Sequence, residues 1–541
     1  MKTTMKVGVL SLLVIFILYP ALRTLMVSFE TDLGVSFAHY GYIFQTKGSL
    51  IAIKNTLILG FLTVIICGLI GTFLAFFVHY FDTPFRKLLD KILLLPLVLP
   101  GLIIVFAFVQ LYGESGLVTK TIENIFNLKN TPYHFSGIMG ILLVHAYTQY
   151  IYFYMNVSVA IKQMDKSVIE VAKNLGASSF QVFKTIIIPF IKPALISASI
   201  LTFMTAIGSF SAPSIIGGSF KVMTTQILLA KANMYLGLAA SQVVVLSIFA
   251  MSYFLIARYY EKKSVFITTT RATKIEPIKI NNKFMLILMK IIGGFLIIMI
   301  VLPVVAIIIL SFVKPGTWMI EIYPKEFSLD NYIKIFSKSR SFAPFGNSLK
   351  MALVASISAI TLSIPVSYLI TKTNTKLKAI LGFLVMLPFA MPSSAIAINM
   401  INGFNKTLLG TWILLPIAYF VSLLPLAVRS TTLSYEKLND EYIEASRNLG
   451  AGAFQTFRKI TFPLISPGIS AGVLLVFIRS LGEYTISAFL YTASNKPISI
   501  AMVNSIFDYE IGMAMAYGSL VVLLTFIGVF IIRKIQGDVI K

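Results

Sequence analysis

Charged residues make up only 12% of this chain, against 57% hydrophobic, and that scarcity excludes a soluble globular protein. Cysteine is nearly absent. A single Cys67 inside an apolar run leaves no intramolecular disulfide and no cysteine metal cluster. The four histidines (His39, His79, His134, His145) are scattered without an i, i+4 pair, so no helical metal site is written here. A Gly-Lys dipeptide occurs nowhere, which removes the G-x-x-x-x-G-K-[ST] phosphate loop. No catalytic residue, metal or cofactor is therefore expected, and the chain is not expected to hydrolyse ATP.

What is present is a series of apolar runs near the roughly 20 residues needed to cross a hydrocarbon core of about 30 Å. They are continuous rather than alternating, which points to helices and not a barrel. The N-terminus, with its lysines followed by Val7–Phe29, imitates a signal peptide, but no small-residue cleavage site follows and the stretch is long enough to span. Further spans are expected near 56–79, 88–111, 137–157, 194–213 and 238–257. After a polar, basic stretch the pattern restarts near 290–313, 349–370, 380–403, 411–428, 467–489 and 513–532. The expected fold is all-α and integral to the membrane: twelve transmembrane helices as two six-helix repeats, 1–261 and 290–541, joined by a linker at 262–289.

The net charge of +24 is distributed by topology, which argues against a nucleic-acid partner. With the N-terminus inside, the cytoplasmic segments hold 29 Lys and Arg and the external loops 12, so both termini are expected in the cytoplasm. Six crossings per half make the repeats parallel, related by an axis along the membrane normal.

The repeat is clearest in one polar loop. Glu170–Leu195 (EVAKNLGASSFQVFKTIIIPFIKPAL) returns as Glu444–Ile469 (EASRNLGAGAFQTFRKITFPLISPGI) with 12 of 26 positions identical and no gap. A short helix should stop at Gly176, and at Gly450 in the second copy, because glycine takes a left-handed C-terminal position cheaply. A second helix then runs to Pro189 or Pro463 and into the next span. Other landmarks repeat too: Asn55-Thr56-Leu57 answers Asn347-Ser348-Leu349, and LPLVLP at Leu95–Pro100 answers LPFAMP at Leu387–Pro392.

The doubled loop resembles the cytoplasmic EAA loop (E-A-A, three residues, G, then I-x-x-P) in permeases of binding-protein-dependent ABC importers, here the type I kind with two units fused. The resemblance covers nearly the whole chain. It implies loops at 167–195 and 441–469 that dock two copies of an ATPase through Glu170, Ala172, Gly176 and Pro189, and through Glu444, Ala445, Gly450 and Pro463. It also implies an external solute-binding protein and a place in the bacterial plasma (inner) membrane, among lipid. Among fused permeases the chain looks like those for ferric iron, 2-aminoethylphosphonate and thiamine, with iron placed first. For Glu170 and Glu444 a structural role stays open: Ser167-x-x-Glu170 matches a capping box, and Glu444 falls in the first turn after Asn439-Asp440.

Candidate residues for the translocation path are Arg479, Glu483, Ser209, Pro100 and Pro392. Arg479 and Glu483 lie four apart, which would put them on one face of the span 467–489, either as a self-paired bridge or as a gate. Their counterparts in the first repeat are Thr205 and Ser209. The prolines of the LPLVLP and LPFAMP runs would break the third span of each repeat. Tyr147, Tyr150 and Tyr154 share a helical face, which an interfacial aromatic belt or helix packing accounts for.

Overall fold

The computed structural model describes residues 2–131, 133–263, 277–278, 282–318, 323–373 and 377–539. Of the expected linker, residues 264–276 and 279–281 lie outside this set. Among the described residues, ten helices are long and apolar enough to cross a membrane, or eleven if the bent pair Leu377–Ala390 and Ser393–Phe404 is one span. The 27-residue helix Gly137–Gln163 stands where the fourth span of the first repeat is expected, its apolar run diluted by His145, Gln149, Asn156 and several tyrosines.

The third span of each repeat is broken at its prolines. In the first repeat, helix Arg86–Ile92 gives way to Leu95–Val98, then to Gly101–Tyr112 after an extended Leu99 and Pro100. The stretch expected as one span at 88–111 is therefore three pieces. In the second repeat the chain turns by 111° at Met391–Pro392. A proline has no N–H to continue the ladder and disfavours helical backbone in the residue before it, which is why both breaks fall one residue ahead of Pro100 and Pro392.

Compact packing divides the chain into two units. One comprises Met1–Tyr42, Ile227–Val244 and Ile308–Lys541; the other comprises Ile43–Gln226 and Val245–Ile307. These units and the two sequence repeats are different divisions of the chain, because the repeats exchange their first helices. In the first unit, Asn402 Nδ2 donates to Thr24 Oγ1 at 3.2 Å, and a Cβ on Gly403 would sit 2.9 Å from Pro20. In the second unit, the Tyr147 hydroxyl donates to the Ile300 carbonyl at 2.7 Å, and Gly293 lies against Leu89 and Pro84. Within this second unit Ile278, from the expected linker, exchanges backbone bonds with Tyr80 and Asp82 at 2.9 Å each.

Tyr147, Tyr150 and Tyr154 are all buried. Tyr150 donates to the Leu93 carbonyl at 2.8 Å and Tyr154 to Asp90 Oδ1 at 2.6 Å. Helix packing, not an interfacial belt, is their role: the three hydroxyls reach the Ile300 carbonyl of a neighbouring helix, the Leu93 carbonyl where the third span breaks, and the Asp90 carboxylate.

Candidate functional site

The first polar loop begins at Asp165, whose carboxylate accepts the Ser167 N–H and the Ser167 hydroxyl at 2.9 Å each. Asp165 is thus the N-cap of helix Lys166–Asn174, and the expected capping box from Ser167 to Glu170 does not form. Ser167 sits inside the first turn as a donor, and Glu170 one turn further along, exposed. The second loop starts the same way. Asn439 caps Asp440–Asn448 by accepting the Glu441 N–H at 3.1 Å, and Glu444 is exposed in the middle of that helix.

Both helices end in the same motif. Gly176 has φ +87° and Gly450 φ +80°, the left-handed conformation expected of them. Gly176 N–H returns to the Lys173 carbonyl at 2.9 Å and Ala177 N–H to Ala172 at 3.0 Å; Gly450 and Ala451 do the same with Arg447 and Ser446 at 2.9 and 3.1 Å. These paired 5→2 and 6→1 bonds make a Schellman end, which caps carbonyls that would otherwise be unpaired. A Cβ on either glycine would meet nothing within 4 Å, so backbone conformation alone requires glycine.

The following helices are started differently. Ser178 and Gln181 form a reciprocal capping box, whereas Gly452 caps the second copy without a side chain. The two short helices of the second loop are stapled by Ser446 Oγ and Thr456 Oγ1 at 3.0 Å, where the first loop has Ala172 and a buried Val182. One π-turn then precedes each proline, Phe183–Ile187 before Pro189 and Phe457–Thr461 before Pro463. Widening the turn takes the carbonyl that the proline ring would strike out of its way. At the base of the second loop, Lys372 Nζ binds the Leu438 carbonyl at 2.9 Å and Asp440 at 2.8 Å.

Each finished loop is a rigid bend that displays apolar side chains at equivalent places. Leu175 and Phe180 are 83% and 72% exposed, and Leu449 and Phe454 are 88% and 76% exposed. The two copies thus present the same pair of large exposed apolar groups, one at the end of the first helix and one at the start of the second.

The path candidates are placed differently from expectation. The fifth span ends at Leu481, not at Phe489, and a short helix, Thr485–Leu490, follows the break. Arg479 is in the last turn of the span and Glu483 lies beyond it. Among the described residues they form no ion pair. Glu483 instead turns both carboxylate oxygens on the next helix, accepting the Ile486 and Ser487 N–H groups at 3.0 and 3.1 Å. The break at Gly482 is what removes the shared face that i, i+4 spacing implies. Ser209 is the counterpart of Glu483 in the first repeat. Its Oγ meets His145 Nε2 at 2.9 Å, and His145 Nδ1 meets Thr63 Oγ1 at 2.9 Å, all within one unit. The scattered histidines gave no warning of this cluster, since its members are 64 and 82 residues apart. In the second repeat the Tyr419 hydroxyl meets Ser487 Oγ at 2.7 Å beside Glu483. Pro100 and Pro392 stand at the N-caps of the helices after each break.

The family model for the binding-protein-dependent transport system inner membrane component matches residues 68–265 and again 359–541. The chain belongs to this family. As a binding-protein-dependent inner membrane component it carries the domain twice, in one fused chain, and it is a multi-span ABC importer permease. Full-length relatives share the fused form. "Probable ABC transporter permease protein y4fN" of Sinorhizobium fredii is 27% identical over 90% of this chain and 88% of its own length. The ferric transport system permease protein FbpB of Actinobacillus pleuropneumoniae is 26% identical over 98% of this chain and 78% of its own. The spermidine/putrescine permease PotB of Salmonella typhimurium is 32% identical over 40% of this chain yet 81% of its own length, a single unit beside a double one.

Proposed function

We propose that this permease is the membrane-spanning part of an ATP-driven importer that moves ferric iron, delivered by an external binding protein, into the cytoplasm. The observation that carries the reading is the pair of loops with the same Schellman bend and the same exposed leucine and phenylalanine. Two equivalent surfaces call for two copies of one partner, and the chain lacks any phosphate-binding loop of its own. Each loop therefore docks one separate ATPase, with Glu170, Ala172, Gly176 and Pro189 shaping the first contact and Glu444, Ala445, Gly450 and Pro463 the second. Both loops, the linker and both termini face the cytoplasm, following the excess of Lys and Arg on that side. Apolar side chains exposed along the spans, such as Leu69, Ile298 and Phe530, meet lipid.

Iron stands first because ferric permeases are among the full-length relatives. The same machinery would serve 2-aminoethylphosphonate or thiamine if a different binding protein supplied the solute. Pro100 and Pro392, with Ser209, Arg479 and Glu483, shape the path. The test is purification of the tagged chain from its native membrane. Two ATPase copies should accompany it, and the stripped chain alone should show no ATP hydrolysis above background. Robust hydrolysis by a preparation free of other subunits, or uptake of radioactive iron without ATP, would overturn the proposal.

A further inference from the structure

The Asn-Thr-Leu and Asn-Ser-Leu steps near the start of each repeat's second span take no part in the docking loops, yet the structure uses both in the same way. Asn55 Nδ2 donates to the Lys221 carbonyl at 2.9 Å, and Asn347 Nδ2 donates to the Lys496 carbonyl at 3.1 Å. One residue on, Thr56 Oγ1 accepts the Met223 N–H and Ser348 Oγ accepts the Ile498 N–H, both at 2.8 Å. A third bond closes the other end. Thr224 Oγ1 donates to the Ser209 carbonyl at 2.7 Å, and Ser499 Oγ donates to the Glu483 carbonyl at 2.8 Å. Each set lies within a single unit. Each one shuts a loop, 209–223 or 483–498, at the end of the fifth span opposite its docking loop.

Inside the two loops little else is shared. No residue of Phe210–Gly217 matches its counterpart in Tyr484–Tyr491. The packing of each loop is its own, while three bonds keep the same donors, the same acceptors and the same order. Four of the side chains, Thr56, Thr224, Ser348 and Ser499, are buried neutral hydroxyls. Buried irregular backbone needs such partners. Neutral bonds also suit a loop that must open, since each one holds by about a factor of ten, whereas a buried ion pair would strand a charge when broken.

We propose that Asn55, Thr56, Thr224, Asn347, Ser348 and Ser499 are positioning residues: a clasp, present once per repeat, that holds the loop after the fifth span closed in the resting permease and releases it as solute enters. This rests on the reading of the chain as an ATP-driven permease. The clasp spans three segments of the chain, so a relative movement of the second and fifth spans breaks it before it disturbs the packing of either.

The test uses the assembled complex in right-side-out vesicles. Cys67→Ala removes the only cysteine, and Ala212→Cys places a thiol on a buried position of the first loop. Labelling by a membrane-impermeant thiol reagent should rise about tenfold in Asn55→Ala and in Thr56→Val, one hydrogen bond's worth. Thr56→Ser, which keeps the hydroxyl, should match the parent. A cysteine at Ala107, buried in the third span, should stay unlabelled throughout. Unchanged labelling at Ala212→Cys in both variants would overturn the clasp, as would a parallel rise at Ala107→Cys, which would mean general loosening. In the intact clasp, labelling should rise when the vesicles holding the assembled complex are loaded with ATP. A response to the substitutions without a response to ATP would leave the clasp standing and sink the ATP-driven reading instead.

Discussion

Replacing Gly450 separates conformation from contact at the docking loop. The residue sits at φ +80° with open space around it, so a side chain adds no clash and the whole penalty is backbone strain. A left-handed conformation costs an ordinary residue about 1–2 kcal/mol, and a branched Cβ more, while asparagine tolerates it. Against the two Schellman bonds at 2.9 and 3.1 Å and the Ser446–Thr456 staple, Gly450→Val should lower the population of the docking conformer by more than the roughly 5- to 30-fold that about 1–2 kcal/mol represents. Gly450→Ala should fall between valine and wild type, and Gly450→Asn should stay near wild type. Gly452, two residues on, has φ −68° at the N-cap of the next helix and also faces open space, so Gly452→Ser, which installs the cap residue that Ser178 supplies in the first loop, should cost nothing. The assay is co-purification of the ATPase and coupled ATP hydrolysis, with membrane insertion followed by protease accessibility. Valine behaving like asparagine, or Gly452→Ser behaving like Gly450→Val, would refute the argument that the bend positions the docking surface.

Arg479 and Glu483 should act independently, because the helix ends between them. A double-mutant cycle on transport with Arg479→Ala and Glu483→Ala should give a coupling energy near zero, and one above about 1 kcal/mol would restore the ion pair. Glu483→Ala alone should cost about 0.5–2 kcal/mol through the lost cap on Thr485–Leu490, with Glu483→Gln, which keeps one acceptor, closer to wild type. Replacing Pro96, Pro100, Pro388 and Pro392 together by alanine should straighten the third spans and abolish uptake while the chain still inserts. Uptake that survives the fourfold change would remove these breaks from the path.

Much of the site was legible in the amino-acid order because its physics is local. A glycine just past the end of a short polar helix favours a left-handed bend, and the paired prolines of LPLVLP and LPFAMP favour a break. Continuous apolar runs demand helices in hydrocarbon, and a loop that returns after 274 residues demands a duplicated architecture. The same locality misled at two points. Asp165 won the cap from Ser167 because it stands one residue before the first turn, where a carboxylate can reach the Ser167 N–H. Helical spacing put Arg479 beside Glu483, but Gly482 lets the chain leave the helix between them. What only the tertiary structure decided is long-range partnership. Asn55 finds Lys221 across 166 residues, Thr24 finds Asn402 across 378, and the repeats exchange their first helices. Sequence patterns state which face of a helix is apolar. They do not state which of several equally apolar helices it will meet, because in a membrane chain every span offers nearly the same greasy surface and the choice falls to a few polar and small residues that recognise one another only when brought together.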